Sequence, residues 1–516
     1  MAYILPKPKA AWVLLAICFI SIIAVTSSSS NSRTRNFAAS IFDFGRHNRR
    51  QSDLEEPKWN GSQTARVADD IHEEHLTGGS LLRHRKTINN KQLQSCSHLH
   101  RPGGANILIN VANPEGTMCR LSFLWFDSTP SDMFRFNPNV IPYPPGSQYP
   151  YVGFALQSLE PVNTESIEQY IIVYCDMNWI NSDVFDQRML TCKDQPKVLD
   201  LPNWLSPEGS CAPVIETGVG RIAPRIFMSP RGEPLMIVST GGHTNCKHDF
   251  VVDLRTIIPD LGPKLKVETV PIRFANLTAL PSATPLAEME KTYQLLFDDK
   301  AEIFVHRGIG ERSLTSISDY YGMHNLAVDS LAPECILSLG KSVSDPDRQK
   351  VTLEQATNSL RVTLCEYPCE PTLDNTVLMS IMHVKYVHLH EVFYRRYLVI
   401  MNATAPFSIL ARSSNFIYMG SDERATVFTV AMEWDHSHFR DRSKSFVNPH
   451  KAVTKREDLA ADAAKLTPDM NSLVNDYYHG WLDDTVLITL EVNDQESAFM
   501  HINASQLLDC LELCPQ

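Results

Sequence analysis

No pair of cysteines in the 516-residue chain has CxxC spacing, no glycine-rich dinucleotide or phosphate loop occurs, and long helical periods are scarce. The first absence makes a zinc site improbable, and the second removes the usual signature of a doubly wound nucleotide-binding sheet. Basic residues are also in deficit: 47 Lys and Arg stand against 59 Asp and Glu, and the mild basic excess is confined to the N-terminal region. The acidic remainder argues against nucleic acid as a partner. The histidines at 243 and 248, beside Asp249, have no carboxylate at a spacing that points to a metal, and Asp345-Pro346-Asp347 reads as an ordinary turn. No cofactor is firmly implied, and the sequence leaves any need for a divalent metal open.

What is present begins with one uncharged run, residues 10–25, preceded by Lys7 and Lys9. It is long enough to span a thin bilayer with its flanks, and its bulky composition favours an uncleaved anchor over a cleaved signal. The expected organisation is a cytoplasmic tail (1–9), a signal-anchor transmembrane helix (10–26), a disordered Ser-, Asn- and Arg-rich stem (27–92) and a folded lumenal domain (93–516). Eleven cysteines beyond Cys18 suit an oxidising compartment; Cys365 with Cys369 and Cys510 with Cys514 are close enough for local bridges. Sequons at Asn60, Asn276, Asn402 and Asn503 are candidate glycosylation sites.

Beyond Cys96 the chain reads as all-β. Short apolar runs at 105–111, 120–126, 170–175, 234–239, 293–297, 302–306, 360–365, 377–383, 427–434 and 486–492 are rich in β-branched and aromatic residues and separated by turn clusters. The run 457–466, stopped by Pro468, is the clearest helix. Many strands without βαβ alternation fit a β-propeller or stacked sandwiches. The segment 288–306 predicts a hairpin, with Glu290 and Lys291 at the mouth of its first strand. Arg225 leads into another strand and can fork onto phosphate or carboxylate. Near the C-terminus, His479, Trp481, Asp483, Asp484 and Asp494 combine rings with carboxylates, the composition of a sugar subsite.

Three stretches together resemble the yeast-type β-1,2-mannosyltransferases: Met289-Glu290-Lys291-Thr292-Tyr293 to Val305-His306, residues 355–365, and Tyr478-His479-Gly480-Trp481-Leu482-Asp483-Asp484; Ala405-Pro406-Phe407 fits as well. That resemblance implies a single-pass type II Golgi membrane enzyme adding β-linked mannose from GDP-mannose to mannan or a mannosylated glycolipid. The family in turn resembles the mannoside phosphorylases, which implies a five-bladed β-propeller with its site on the central axis. Lys291 matches a phosphate-gripping lysine, with Thr292 where Asn is usual. Pro224-Arg225 matches the end of a Glu-Asp-Pro-Arg motif whose aspartate donates the proton, but Ile222-Ala223 replaces the acidic pair. The implied roles are Lys291 and Arg225 for donor phosphate, Asp484 and then Glu290 as base, and Asp483, Asp494, His479 and Trp481 for sugar. The alternatives are a phosphorylase or mannose 1-phosphate-dependent transferase, and an inactive mannan-binding protein.

Overall fold

The computed structural model of the chain describes residues 106–112, 117–123, 135–158, 170–182, 187–201, 221–240, 249–280, 293–317, 330–341, 348–388, 391–420, 426–435, 477–493, 496–509 and 511–514. The expected anchor, stem and helix 457–466, together with Asn60, Glu290, Lys291 and Asp494, lie outside them. No helix among the described residues is long and apolar enough to cross a membrane.

The described residues are mostly β-sheet, as the strand-length apolar runs require. Two short strands come first, β1 (Asn106–Leu108) and β2 (Cys119–Ser122). An antiparallel meander follows from β3 (Arg135–Pro142), β4 (Tyr151–Ser158), β5 (Tyr170–Ser182) and β6 (Gln187–Cys192), with β7 (Lys197–Val198) added on β5. A second contains β8 (Arg221–Met228), β9 (Pro234–Thr240), β10 (Asp249–Asp253) and β11 (Thr278–Ala279). A third contains β12 (Tyr293–Phe297), β13 (Ile303–Arg307), β14 (Glu311–Ser316) and β15 (Ser330–Leu331).

In the fourth, β16 (Arg348–Gln355) and β17 (Leu360–Thr363) lie end to end along β18 (Thr376–His388), which pairs with β19 (Glu391–Asn402); β20 (Ile409–Ser413) and β21 (Phe416–Tyr418) both pair with β19. The last group is β22 (Val427–Trp434), β23 (His479–Trp481), β24 (Thr485–Val492), β25 (Glu496–Asn503) and β26 (Leu511–Leu513). Here β22, β24 and β25 form three strands of an antiparallel meander, and β2, from the other end of the described chain, supplies the fourth by pairing with β25. β2 also pairs in parallel with β6, so the first and last meanders share one nine-stranded sheet.

The expected hairpin is present. Asp298 closes its turn by accepting from the backbone N–H groups of Lys300 and Glu302, and Ala301 takes the left-handed conformation, φ 57°. Leu295, Leu296, Phe297, Phe304 and Val305 bury its strands in a core shared with residues of the second and fourth meanders, among them Phe227, Ile237, Leu378 and Val399. Full burial of such side chains stabilises by about 1.5–3 kcal/mol each. The alternation expected of a half-solvated strand is missing from β10, β13 and β17, whose residues are buried throughout, because these sheets are covered on both faces.

Three disulfides occur among the described residues: Cys175–Cys192, Cys335–Cys514 and Cys365–Cys369. The last is the local bridge expected. The pairing of Cys514 with Cys510 is corrected: Cys514 follows β26, which lies on β20, and there it meets Cys335 of α2 (Glu334–Lys341); α1 is the short helix Leu261–Leu265. Cys119 is a free, buried thiol whose sulfur accepts from Asn110 Nδ2 at 3.3 Å.

Candidate active site

The first strands of four meanders converge: β22 packs against β3 and β8, β3 against β8, and β17 against β22. Each first strand near this junction carries a register shift, between Phe136 and Asn139 in β3, Ile222 and Arg225 in β8, Gln349 and Thr352 in β16, and Thr429 and Ala431 in β22. An extra residue in one strand bends it and re-aims a side chain, which is why bulges gather beside functional sites.

The shifts here interlock. Asn137 and Asn139 both donate side-chain N–H groups to the Pro224 carbonyl, at 3.0 and 3.1 Å, and Ile226 N–H donates to Asn139 Oδ1. Arg225, thus displaced, sends Nη1 to the Val430 carbonyl at 2.6 Å, in the bulge of β22. Asn358, between β16 and β17, exchanges two bonds with the Met432 backbone, at 2.8 and 2.9 Å. Side chains rather than sheet ladders therefore tie one first strand to the next, which leaves the junction polar.

Arg225 is 6 % exposed, and its guanidinium lies 5.3 Å from the centre of the Phe428 ring. Desolvation lowers its pKa to about 10, while Glu354, Glu491 and Tyr394 pull it back up. Glu354 is partly exposed, accepts from Thr352 Oγ1 at 3.1 Å and has Lys385 Nζ at 3.9 Å; Glu491 is buried opposite Phe428. Across the fourth meander Glu354, His383 and Arg396 stand in one row. His383 is fully buried against Tyr394 and Phe428, and burial first, then Arg396 and Arg225, hold its pKa well below the usual range, so the imidazole is neutral. The Arg396 guanidinium donates to the Val427 carbonyl at 3.2 and 2.5 Å. Two desolvated cations, a neutral imidazole and two carboxylates are suited to hold an anion beside a polar, hydroxyl-bearing group.

Of the residues named from sequence, Arg225 alone falls at this junction among those described. Asp484 lies at the opposite end of β24 from Glu491, roughly 23 Å along the strand at the usual rise. Its Oδ2 accepts from Trp481 N–H at 2.7 Å and its backbone closes the same turn. Asp483 is exposed and accepts from Tyr367 N–H. The rings are packed rather than presented: Trp481 stacks on His479, donates Nε1–H to the Cys369 carbonyl and is 3 % exposed, while His479 Nε2 meets Thr363 Oγ1 at 2.7 Å. This group forms the joint between β17, β23 and the Cys365–Cys369 bridge, and is not brought to Arg225. Asn276 and Asn503 are exposed, and Asn402 is partly buried on β19.

The sequence reading did not single out Glu354, His383, Arg396 or Glu491. Charged residues within otherwise apolar strands were the available signal; Arg395-Arg396 between Tyr394 and Tyr397 is an example. Among the described residues no group of three or more His, Cys, Asp or Glu side chains is placed to hold a metal.

No family model matches the chain, and no curated protein matches it. Solved structures do. A glycosyl hydrolase from Bacteroides ovatus aligns over 81 % of this chain and 96 % of its own, at 10 % identity and a TM-score of 0.37. A structure from the GH130 family of mannoside phosphorylases, described as containing glycoside hydrolases that target β-1,2 mannosidic linkages in Candida mannan, aligns over 79 % of this chain and 94 % of its own, at 11 % identity and a TM-score of 0.35. At 10 and 11 % identity and TM-scores of 0.37 and 0.35, these likenesses carry no activity over to this chain.

Proposed function

We propose that the chain is a carbohydrate-active enzyme that makes or cleaves a β-mannoside by inverting displacement, with inorganic phosphate or mannose 1-phosphate as its charged reactant. Arg225 is the observation that carries this reading. Arg225 as a residue is only 6 % exposed, so a group that reaches it must be small, which favours a monophosphate over the diphosphate of a nucleotide. Glu354, partly exposed beside it, is placed for sugar hydroxyls. The five four-stranded antiparallel meanders, the last completed by β2, and the convergence of their first strands support a five-bladed propeller with this junction on its axis. Lys291, two residues before β12, is the second proposed phosphate ligand.

In this scheme a phosphate oxygen bonds to C1 of the mannose as the C1–O bond to the leaving sugar breaks, and α-mannose 1-phosphate results; synthesis runs the same path in reverse. Arg225 neutralises the phosphate, and its bond to Val430 fixes the direction of the fork.

The motif resemblance favours a second reading: transfer from GDP-mannose to mannan or a mannosylated glycolipid by a type II Golgi membrane protein. The full-length chain should be offered mannose 1-phosphate and GDP-mannose side by side with β-1,2-mannooligosaccharide acceptors, and phosphate with the oligosaccharides alone. The expected product from mannose 1-phosphate is a β-mannoside, identified by the NMR of its anomeric proton. Product from GDP-mannose alone would establish the second reading, and an α product would exclude inversion. Arg225→Lys keeps the charge but loses the planar fork, so KM for phosphate should rise at least about tenfold with smaller change in KM for the sugar.

A further inference from the structure

β22 ends its sheet: β24 pairs with one of its edges, and among the described residues no strand pairs with the other. Side chains meet the backbone groups along that inner edge one after another. Arg396 donates to the Val427 carbonyl, and Thr429 N–H donates to His383 Nε2 at 3.4 Å. Arg225 then donates to the Val430 carbonyl at 2.6 Å, and Asn358 bonds to both backbone groups of Met432. In a regular strand the N–H and C=O of one residue point to the same edge, and those of the next residue point to the opposite edge. Here the inward residues are odd-numbered up to Thr429 and even-numbered from Val430. That change of parity is the bulge: Thr429 pairs with Leu490 and Ala431 with Thr489, which leaves Val430 as the extra residue.

His383 and Arg225 thus grip β22 on either side of one inserted residue. His383 is fully buried, with its ring 5.1 Å from that of Tyr394 and 4.8 Å from that of Phe428, so it has little freedom to turn. The same Phe428 ring lies 5.3 Å from the Arg225 guanidinium. The imidazole is neutral, and its Nε2 accepts in the tautomer that carries the proton on Nδ1. Tyr418 holds Thr429 a second time, with 2.9 Å between the two hydroxyls. Val430 is the hydrogen-bond partner of the Arg225 side chain among the described residues, so the direction of the Arg225 fork follows that carbonyl. A bulge that slipped by one residue would turn the Val430 carbonyl to the outer edge and leave Arg225 without it.

We propose that His383 is a positioning residue for the phosphate site: by holding Thr429 N–H it fixes the bulge at Val430, and through that carbonyl it aims the Arg225 guanidinium. His383 does not touch the phosphate in this scheme. Its contribution is to keep the carbonyl, and with it the arginine, in one direction before phosphate arrives.

The role assigned to His383 rests on the phosphate reading of Arg225, and phosphorolysis of a β-1,2-mannobiose by the full-length chain separates the two. His383→Gln places an amide oxygen near the position of Nε2, whereas His383→Asn places it one bond short, near Nδ1. The Asn variant should raise KM for phosphate about fivefold or more and KM for the mannobiose less than about twofold, and the Gln variant should restore most of the loss. In an Arg225→Lys background, His383→Asn should add less than about twofold to the phosphate KM, because both changes act on one contact. Melting temperatures check that the variants fold, and His383→Leu carries the same expectation should the Asn variant fail to do so. Equal rises in both KM values, a Gln variant no better than Asn, or additive effects in the double variant would overturn the positioning role while leaving the function intact. A wild type that releases no mannose 1-phosphate overturns the function and the positioning role together.

Discussion

Burial holds the Asp249 carboxyl protonated up to about pH 6, against a usual value near 3.8, and that difference is a folding effect. A raised folded-state pKa contributes stability that is complete below the unfolded value and is lost as pH rises through the folded one. Two pKa units correspond to about 3 kcal/mol. Between pH 4 and pH 6.5 the wild type should lose up to about that much denaturation stability relative to Asp249→Asn, measured by urea titration at each pH. Asp509, also raised to about 6 by burial, adds a parallel loss common to both proteins. At the same scale, Arg225 was legible because an arginine leading into an apolar strand is conspicuous. His383, Arg396 and Glu491 were not, because their importance comes from strands that meet across long sequence separations. The Tyr478 to Asp484 group misled for a physical reason: rings beside carboxylates have one composition whether they face a ligand or bond to backbone, and here they bond to backbone.

At the scale of elements, the joint between β17, β22 and β23 depends on a residue with no side chain. A Cβ on Gly480 would lie 2.6 Å from the Trp434 ring, which is itself fully buried and bonded through Nε1 to the Tyr478 carbonyl. Gly480→Ala should cost about 1–3 kcal/mol or more, seen as a lowered melting temperature, with no change in the phosphate dependence of any activity that remains. The Cys335–Cys514 bridge closes a loop of 179 residues and ties α2 to the chain end. Loop entropy sets its contribution at about 5 kcal/mol at most, and Cys335→Ser with Cys514→Ser should lower stability by about 2–5 kcal/mol. Strands with β-branched, apolar runs were legible as elements. Those missed, such as β16 and β25, carry charged or small residues that only their partners on both faces make strand-like. The bridge partner of Cys514 was hidden because spacing favours the nearby Cys510, whereas β26 carries the chain end to β20.

At the largest scale, one ladder joins the first and last meanders of the described residues. β2 sits between β25 and β6, so it has no free edge, and Leu121 is 3 % exposed opposite Ser497 and Leu190. Proline there removes a ladder donor from a central strand. Leu121→Pro should cost about 1–3 kcal/mol for the buried acceptor left unpaired and lower the melting transition of the described β-region, where the same change on a solvent edge would be tolerated. Synthesis gives this position a further meaning. β2 leaves the ribosome early and can dock on β6 at once, but β25 follows some 375 residues later. At about 5–20 residues per second, the opposite side of β2 waits on the order of twenty seconds or more as an open template for any passing strand. The nascent chain is thus most exposed to mispairing just before its final meander is made, and a chaperone that shields that edge would raise the yield of folded protein without binding the finished one.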